Sequence, residues 1–443
     1  METVLLYILG IVVVVLGLIV SIALHEVGHL VPAKAFGVKV GQYMVGFGRT
    51  IFSIRRGETE YGLKAIPLGG YISMAGMYPP ARAGQRGRTA TTGMYEALVQ
   101  DPEAQEHVDT VAEEARAFYK LAVWKRVIIM LGGPFMNLLL GILLIGIVIC
   151  GHGIAVLTPT LSSVSECLVP VSEDRQECEA SDPDAPGYAA GLKPGDRIVS
   201  IDGTPIVETA DASAIIRSSP GVALPVVVER DGEEIDLTVT PALTERYAVD
   251  DRGRIQEDAA GDPIIEEVGF LGIGWSQEVQ QQPITAVLPT VGDNIARLVT
   301  VVANLPARVY DLVTVLFSDE ERDPGGLIGV IGIGRIAGEI SSLTTVSVAD
   351  RAASLVSLVG GLNIALLVFN LIPLPPLDGG HVAFALIDGV RRMFAKIRGK
   401  PQPLPIDSSK VIPVTLVVAT ILGLLTVLLI VADIFKPVSI LAP

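Results

Sequence analysis

The stretch 21-SIALHEVGHLVPAKAFG-37 closes a run that otherwise reads as lipid-facing. Two histidines and a glutamate stand where aliphatic residues would be cheaper. Ionisable groups are costly inside a bilayer, so their presence there points to a function. On a helix, residues four apart share a face, and His25 and His29 can each offer an imidazole nitrogen to one metal ion. Glu26 lies about 100° round from His25, near enough to touch a water at that ion without taking a ligand position. H-E-x-x-H on a helix is a zinc-metalloprotease pattern. Two buried histidines beside a surface glutamate would be the plain alternative, and it fits poorly next to a membrane span.

The rest of the chain supports a membrane setting. Half of its 443 residues are hydrophobic and only 18% are charged, too apolar for an ordinary soluble protein. Four uncharged segments are long enough to span: 4–24, 127–150, 352–375 and 411–432. The first has no basic flank and runs straight into the histidines, so a span is expected rather than a cleaved leader. A net charge of −15 gives no support to nucleic-acid binding. Basic residues outnumber acidic ones in 31–126 and 376–410, whereas 151–350 is strongly acidic. Positive-inside therefore puts the two basic segments in the cytoplasm, and the acidic one outside with both chain ends. Cys167 and Cys178 lie in that exterior segment, where a disulfide could persist, and Cys150 is expected to pack at the end of the second span. Three cysteines allow no thiolate zinc cluster.

Between the spans the grammar changes. Residues 38–76 alternate apolar and polar in short glycine-punctuated runs, which implies three or four strands. Residues 79–122 read as a cytoplasmic insert with a surface helix. "GYAAGLKPGDRIVSIDGTPI" (187–206) and the hairpin "LPVVVERDGEEIDLTVTP", with its turn at Asp231-Gly232, imply a small α+β domain over 155–243. Amphipathic stretches over 244–350 are interrupted by Arg297 and Arg308, which favours helices lying on the outer membrane surface.

A catalytic zinc wants three protein ligands and one open position. His107 falls in the insert and His152 on the opposite side of the membrane; His381 is expected to be structural. Asp378 is the better candidate. It follows the proline-rich break in "FNLIPLPPLDGGH" (369–381), and by the topology above it reaches the same depth as His25. Unwound backbone at membrane depth is tolerated where it lines a site.

"HEVGH" in the first span and "NLIPLPPLDGG" at the end of the third resemble the site-2 protease family of intramembrane zinc metalloproteases (peptidase family M50). "GFG" at 46–48 and "GGPFMN" at 132–137 extend the resemblance over nearly the whole chain. The 155–243 stretch resembles a bacterial PDZ domain, and one such copy between the second and third spans is similar to the members that release sigma factors. The resemblance implies a polytopic α-helical membrane protein with four transmembrane helices, a membrane-associated β-hairpin region at 37–78 and an extracytoplasmic PDZ-like domain. It implies Zn2+ held by His25, His29 and Asp378, with Glu26 as general base and then acid. Asn370 and Asn137 would contact substrate; Asn137 fits hydrogen bonding between helices equally well. The implied substrates are single-span membrane proteins in a bacterial plasma membrane, with an anti-sigma factor foremost. Peptide ends would dock at the PDZ-like domain, and the hairpin edge would pair with unwound substrate. Clearance of remnant signal peptides is the alternative within the enzyme class, and a catalytically dead PDZ scaffold the alternative outside it.

Overall fold

The computed structural model describes residues 2–79, 88–92, 111–169, 178–179, 181–248, 256, 263–318, 322, 325–403, 406 and 412–438. His107 and most of the 79–122 insert lie outside the described residues. The chain divides into two compact units, Met1–His152 with Gln282–Pro443, and Gly153–Gln281.

The first unit is a helical bundle with a small sheet. Its helices are α1 (Glu2–Ala35), α2 (Val123–Gly146), α3 (Val287–Ala303), α4 (Leu305–Leu316), α5 (Val330–Ser342), α6 (Val348–Asn370), α7 (Asp378–Ile397) and α8 (Ile412–Phe435). Five helical stretches among the described residues are long and apolar enough to cross a membrane. Four match the expected spans; the fifth, Ile284–Ala303, is the least apolar. It falls in the region expected to lie on the membrane surface, with Asp293 and Arg297 interrupting its apolar run.

Helix α1 packs against α2, α5 and α6. Buried polar side chains link the helices, since burial in an apolar medium favours pairing. Asn363 Nδ2 donates to Ser21 Oγ at 2.9 Å, tying α6 to α1 one turn before His25. Arg126 and Asp388 join α2 to α7 as a buried pair at 3.1 Å. Asp433 on α8 pairs with Arg322 at 2.9 Å and accepts the Gly332 N–H near the start of α5.

Among the described residues three strands form the sheet of this unit, in the order β1 (Val40–Arg56), β2 (Thr59–Tyr78), β3 (Arg88–Thr91). The expected short strands exist as ladder segments but are joined pairwise into two long, bent strands. Residues 42–45 pair with 60–63 on one side and with 70–73 on the other, while 50–56 pair with 59–64. Gly46 and Gly48, both at positive φ, carry the bend in β1 where a residue with a Cβ would be strained. At the outer end Ile51, Phe52 and Ile54 are 67%, 62% and 58% exposed, an apolar fringe that suits a membrane-associated hairpin.

The second unit is an antiparallel sheet with a packed helix. Its strands are β4 (Ile154–Val164), β5 (Arg197–Ile201), β6 (Leu224–Arg230), β7 (Glu233–Val239), β8 (Ala242–Tyr247), β9 (Ile265–Phe270) and β10 (Ile273–Gln280). The main sheet runs β10-β4-β5-β6-β7, and β8 pairs with β9 separately. Ile198, Ile201, Val226 and Val228 from the strands, with Ala212 and Ile216 from the helix Thr209–Ser218, build the core. The β6–β7 turn falls at Asp231-Gly232 as expected, with Asp231 at φ 55°. The unit extends past the expected boundary at 243: β10 pairs along β4 as an edge strand, so 273–280 belongs to this sheet. Cys167 and Cys178 form a disulfide with Cα atoms 5.8 Å apart.

Candidate metal centre

His25 and His29 lie on α1, one turn apart, and face α2 where it has no side chains to offer. A Cβ on Gly28 would stand 2.2 Å from the Gly132 carbonyl oxygen, and one on Gly133 only 2.3 Å from His29 Nε2. The glycine pair thus lets the two helices approach until the imidazoles fit between them. Asp378 arrives from elsewhere: α6 stops at Asn370, the proline-rich stretch breaks the helix, and Asp378 opens α7. Gly379 is required here because a Cβ would meet the Leu371 carbonyl oxygen at 2.4 Å.

The three side chains converge. His25 Nε2 and His29 Nε2 are 3.2 Å apart, and Asp378 Oδ2 lies 3.2 Å from the first and 3.4 Å from the second. Among the described residues they form the one cluster able to hold a metal ion. All three are buried. Zinc bonds of about 2.0–2.1 Å in a tetrahedral arrangement hold donor atoms about 3.3–3.4 Å apart. The observed edges match that spacing.

Proton bookkeeping argues the same way. His29 Nδ1 is 2.8 Å from the Ile129 carbonyl, which can only accept, so Nδ1 carries the proton and Nε2 presents a lone pair. The Asn137 amide is 3.0 Å from His25 Nδ1, while its Oδ1 is buried without a partner. A half-turn of the amide, exchanging nitrogen and oxygen, lets Oδ1 accept from His25 Nδ1–H. His25 Nε2 then also presents a lone pair. Asp378 Oδ2 has no donor either. Three electron-rich atoms facing one another at this spacing call for a shared cation.

A cavity of about 350 Å³ adjoins the cluster, lined by Leu18, Ile22, Gly70, Thr92, Leu366 and Asn370, with Glu26, His25 and Asp378 on its wall. Glu26 is buried and accepts a hydrogen bond from the Thr92 hydroxyl at 3.1 Å. Asn370 thus reaches the cavity. Asn137 also borders it, but its amide is engaged with His25 on another helix. His152 is elsewhere, paired with Asp350 at 2.9 Å. Thr92 was not foreseen, and neither was the steric role of Gly133; the glycines of "GGPFMN" were the only hint.

Comparison with known proteins follows the same line. The model of peptidase family M50 matches residues 13–403. The chain belongs to peptidase family M50. This M50 peptidase is 34% identical to the zinc metalloprotease Rip1 of Mycobacterium tuberculosis over 441 residues, covering 98% of this chain and 99% of that one. Rip1 of Mycolicibacterium smegmatis is likewise 34% identical, over 452 residues and 98% of both chains. A putative zinc metalloprotease of Mesorhizobium japonicum is 29% identical over 85% of this chain and 88% of its own length. With its apolar helices, this M50 peptidase is a multi-pass membrane protein.

Proposed function

We propose that this zinc metalloprotease hydrolyses peptide bonds inside transmembrane segments of single-span membrane proteins, an anti-sigma factor foremost. One observation carries the reading: two histidines of a membrane-spanning helix and an aspartate that follows another meet at zinc-ligand spacing beside a largely apolar cavity holding Glu26.

His25, His29 and Asp378 would hold the zinc, which would supply the Lewis acidity that makes a water nucleophilic at neutral pH. Glu26 takes a proton from the attacking water and returns it to the departing amine. Asn137 holds His25 in the tautomer that turns Nε2 to the metal. Asn370, at the cavity wall, donates to the substrate backbone. A helical substrate hides its peptide bonds in its own hydrogen bonds, so it must unwind, and pairing with β2 offers replacement partners.

The basic segments 31–126 and 376–410 orient the active site towards the cytoplasm, with the unit Gly153–Gln281 and both chain ends outside. That unit, as a PDZ-like domain, binds the exterior end of a substrate already trimmed there. The test is to replace the enzyme in its own cell with Glu26→Gln and identify the membrane proteins that accumulate. Single-span proteins shortened on their exterior side are expected. Accumulated signal-peptide remnants would favour the clearance role, and no accumulation would contradict both.

A further inference from the structure

Strand β2 passes directly over the general base: a Cβ on Gly70 would stand 2.8 Å from Glu26 Cγ. Two residues on, Ile72 turns both its backbone N–H and its C=O to the side away from β1. Those two groups are what an incoming extended strand would use, and Thr92 takes both. The Thr92 N–H donates to the Ile72 carbonyl at 3.1 Å, and the Ile72 N–H donates to Thr92 Oγ1 at 2.9 Å. The same hydroxyl gives its own proton to Glu26 Oε2 at 3.1 Å. A hydroxyl has one proton to give and two lone pairs to accept with, so this arrangement is fully satisfied. Behind Thr92 the ladder continues, with Thr91 opposite Ser73 and Ala90 opposite Met74.

One short piece of chain thus occupies the edge of β2 from Ile72 to Met74 and sets a hydroxyl on Glu26. A substrate segment that has lost its helical hydrogen bonds needs both of those places: an edge to pair with, and Glu26 free to accept a proton. We propose that β3 with Thr92 is an internal occupant of the substrate-strand position, which substrate must displace to reach the catalytic centre. The inference rests on the reading of the chain as a protease of extended membrane segments. Displacement sets a threshold: chains that pair well with β2 enter, and chains that pair poorly are excluded while the base is covered.

Two experiments on the full-length protein test this. Thr92→Val keeps the shape and removes both hydroxyl bonds. For a reconstituted single-span substrate, KM is expected to fall about thirtyfold, the worth of roughly two hydrogen bonds, with kcat not reduced and zinc per chain unchanged. A fall in kcat at unchanged KM would make Thr92 part of the catalytic machinery and overturn the proposal, as would no change in either. Second, Ser73→Cys with Thr91→Cys in a Glu26→Gln background allows oxidative cross-linking of β3 to β2. Saturating substrate is expected to lower the cross-link yield by about threefold or more; an unchanged yield overturns the proposal. Cleavage by the wild type is followed in parallel. Substrate cut without release of β3 refutes the occupant alone, whereas substrate left uncut refutes the proteolytic reading beneath it.

Discussion

Gly133 on α2 and His29 on α1 are packed so closely that a methyl group on the glycine would stand 2.3 Å from His29 Nε2 and 2.6 Å from His25 Nε2. The proposed metal centre would therefore depend on a residue that contributes no atom to it. Gly133→Ala is expected to lower bound zinc about tenfold or more, because both ligand nitrogens must move. Gly361→Ala, where a methyl meets nothing within 4 Å, should leave zinc at the wild-type level. Elemental analysis of the two purified variants checks this, and equal zinc in both would refute it.

Asn137 offers a test of hydrogen-bond direction. If its Oδ1 accepts from His25 Nδ1–H, Asn137→Asp keeps an acceptor in place and Asn137→Ala does not. The alanine variant is expected to bind zinc about 10–100-fold more weakly, the aspartate variant close to normally, by competition with a chelator of known affinity. Equal losses in both would mean that the amide does not set the tautomer.

Gly70 separates metal binding from chemistry. A methyl there would press on Glu26 Cγ at 2.8 Å, Ile22 Cγ2 at 3.1 Å and the Met44 carbonyl at 3.2 Å, and none of these three belongs to His25, His29 or Asp378. Gly70→Ala should retain zinc while kcat falls about tenfold or more, since small displacements of a reacting group are costly. Loss of zinc together with activity would show that the strand supports the metal site instead.

The unit Gly153–Gln281 carries its own pH dependence. Burial pulls the Asp196 carboxyl upward, but two hydrogen bonds from Arg230, at 2.7 and 2.8 Å, and one from the Lys193 N–H outweigh it and hold the group below its usual 3.8. A carboxylate lowered in the folded state stabilises it above the unfolded value, and that stability is lost as pH falls below about 4. Arg230→Met should cost about 2 kcal/mol at pH 7 and flatten the acid dependence. Trp275 packs on this core and is one of two tryptophans, so its fluorescence in a Trp124→Phe background reports the unit within the whole protein. An unchanged acid midpoint in the Arg230 variant would contradict the assignment.

Much of the candidate site, the cluster of His25, His29 and Asp378 beside Glu26, was legible because its signals are local or topological. His25, Glu26 and His29 declare themselves by helical spacing, and Asp378 by the depth at which a proline-rich break follows a span. Thr92 was not legible: it lies in a polar insert with no periodicity, and its role depends on pairing with Ile72, a contact across 20 residues. The boundary at 243 failed for a related reason. The "PDZ" wording of the sequence ends there, but the edge of β4 needs a partner, and β10 supplies it from 30 residues further on. In 38–76 the strand grammar was right, yet glycine-rich punctuation marked bends within strands as well as the turn at Gly57.

The most direct test joins metal content to the position of the cut. Wild type, Glu26→Gln and Asp378→Asn are reconstituted in lipid with a single-span substrate, and products are located by mass spectrometry. The wild type is expected to cut within the apolar segment, Glu26→Gln to keep zinc without cutting, and Asp378→Asn to lose both. Cleavage by Glu26→Gln at the wild-type rate, or wild-type cuts confined to residues outside the apolar segment, would contradict an intramembrane zinc protease built on these residues.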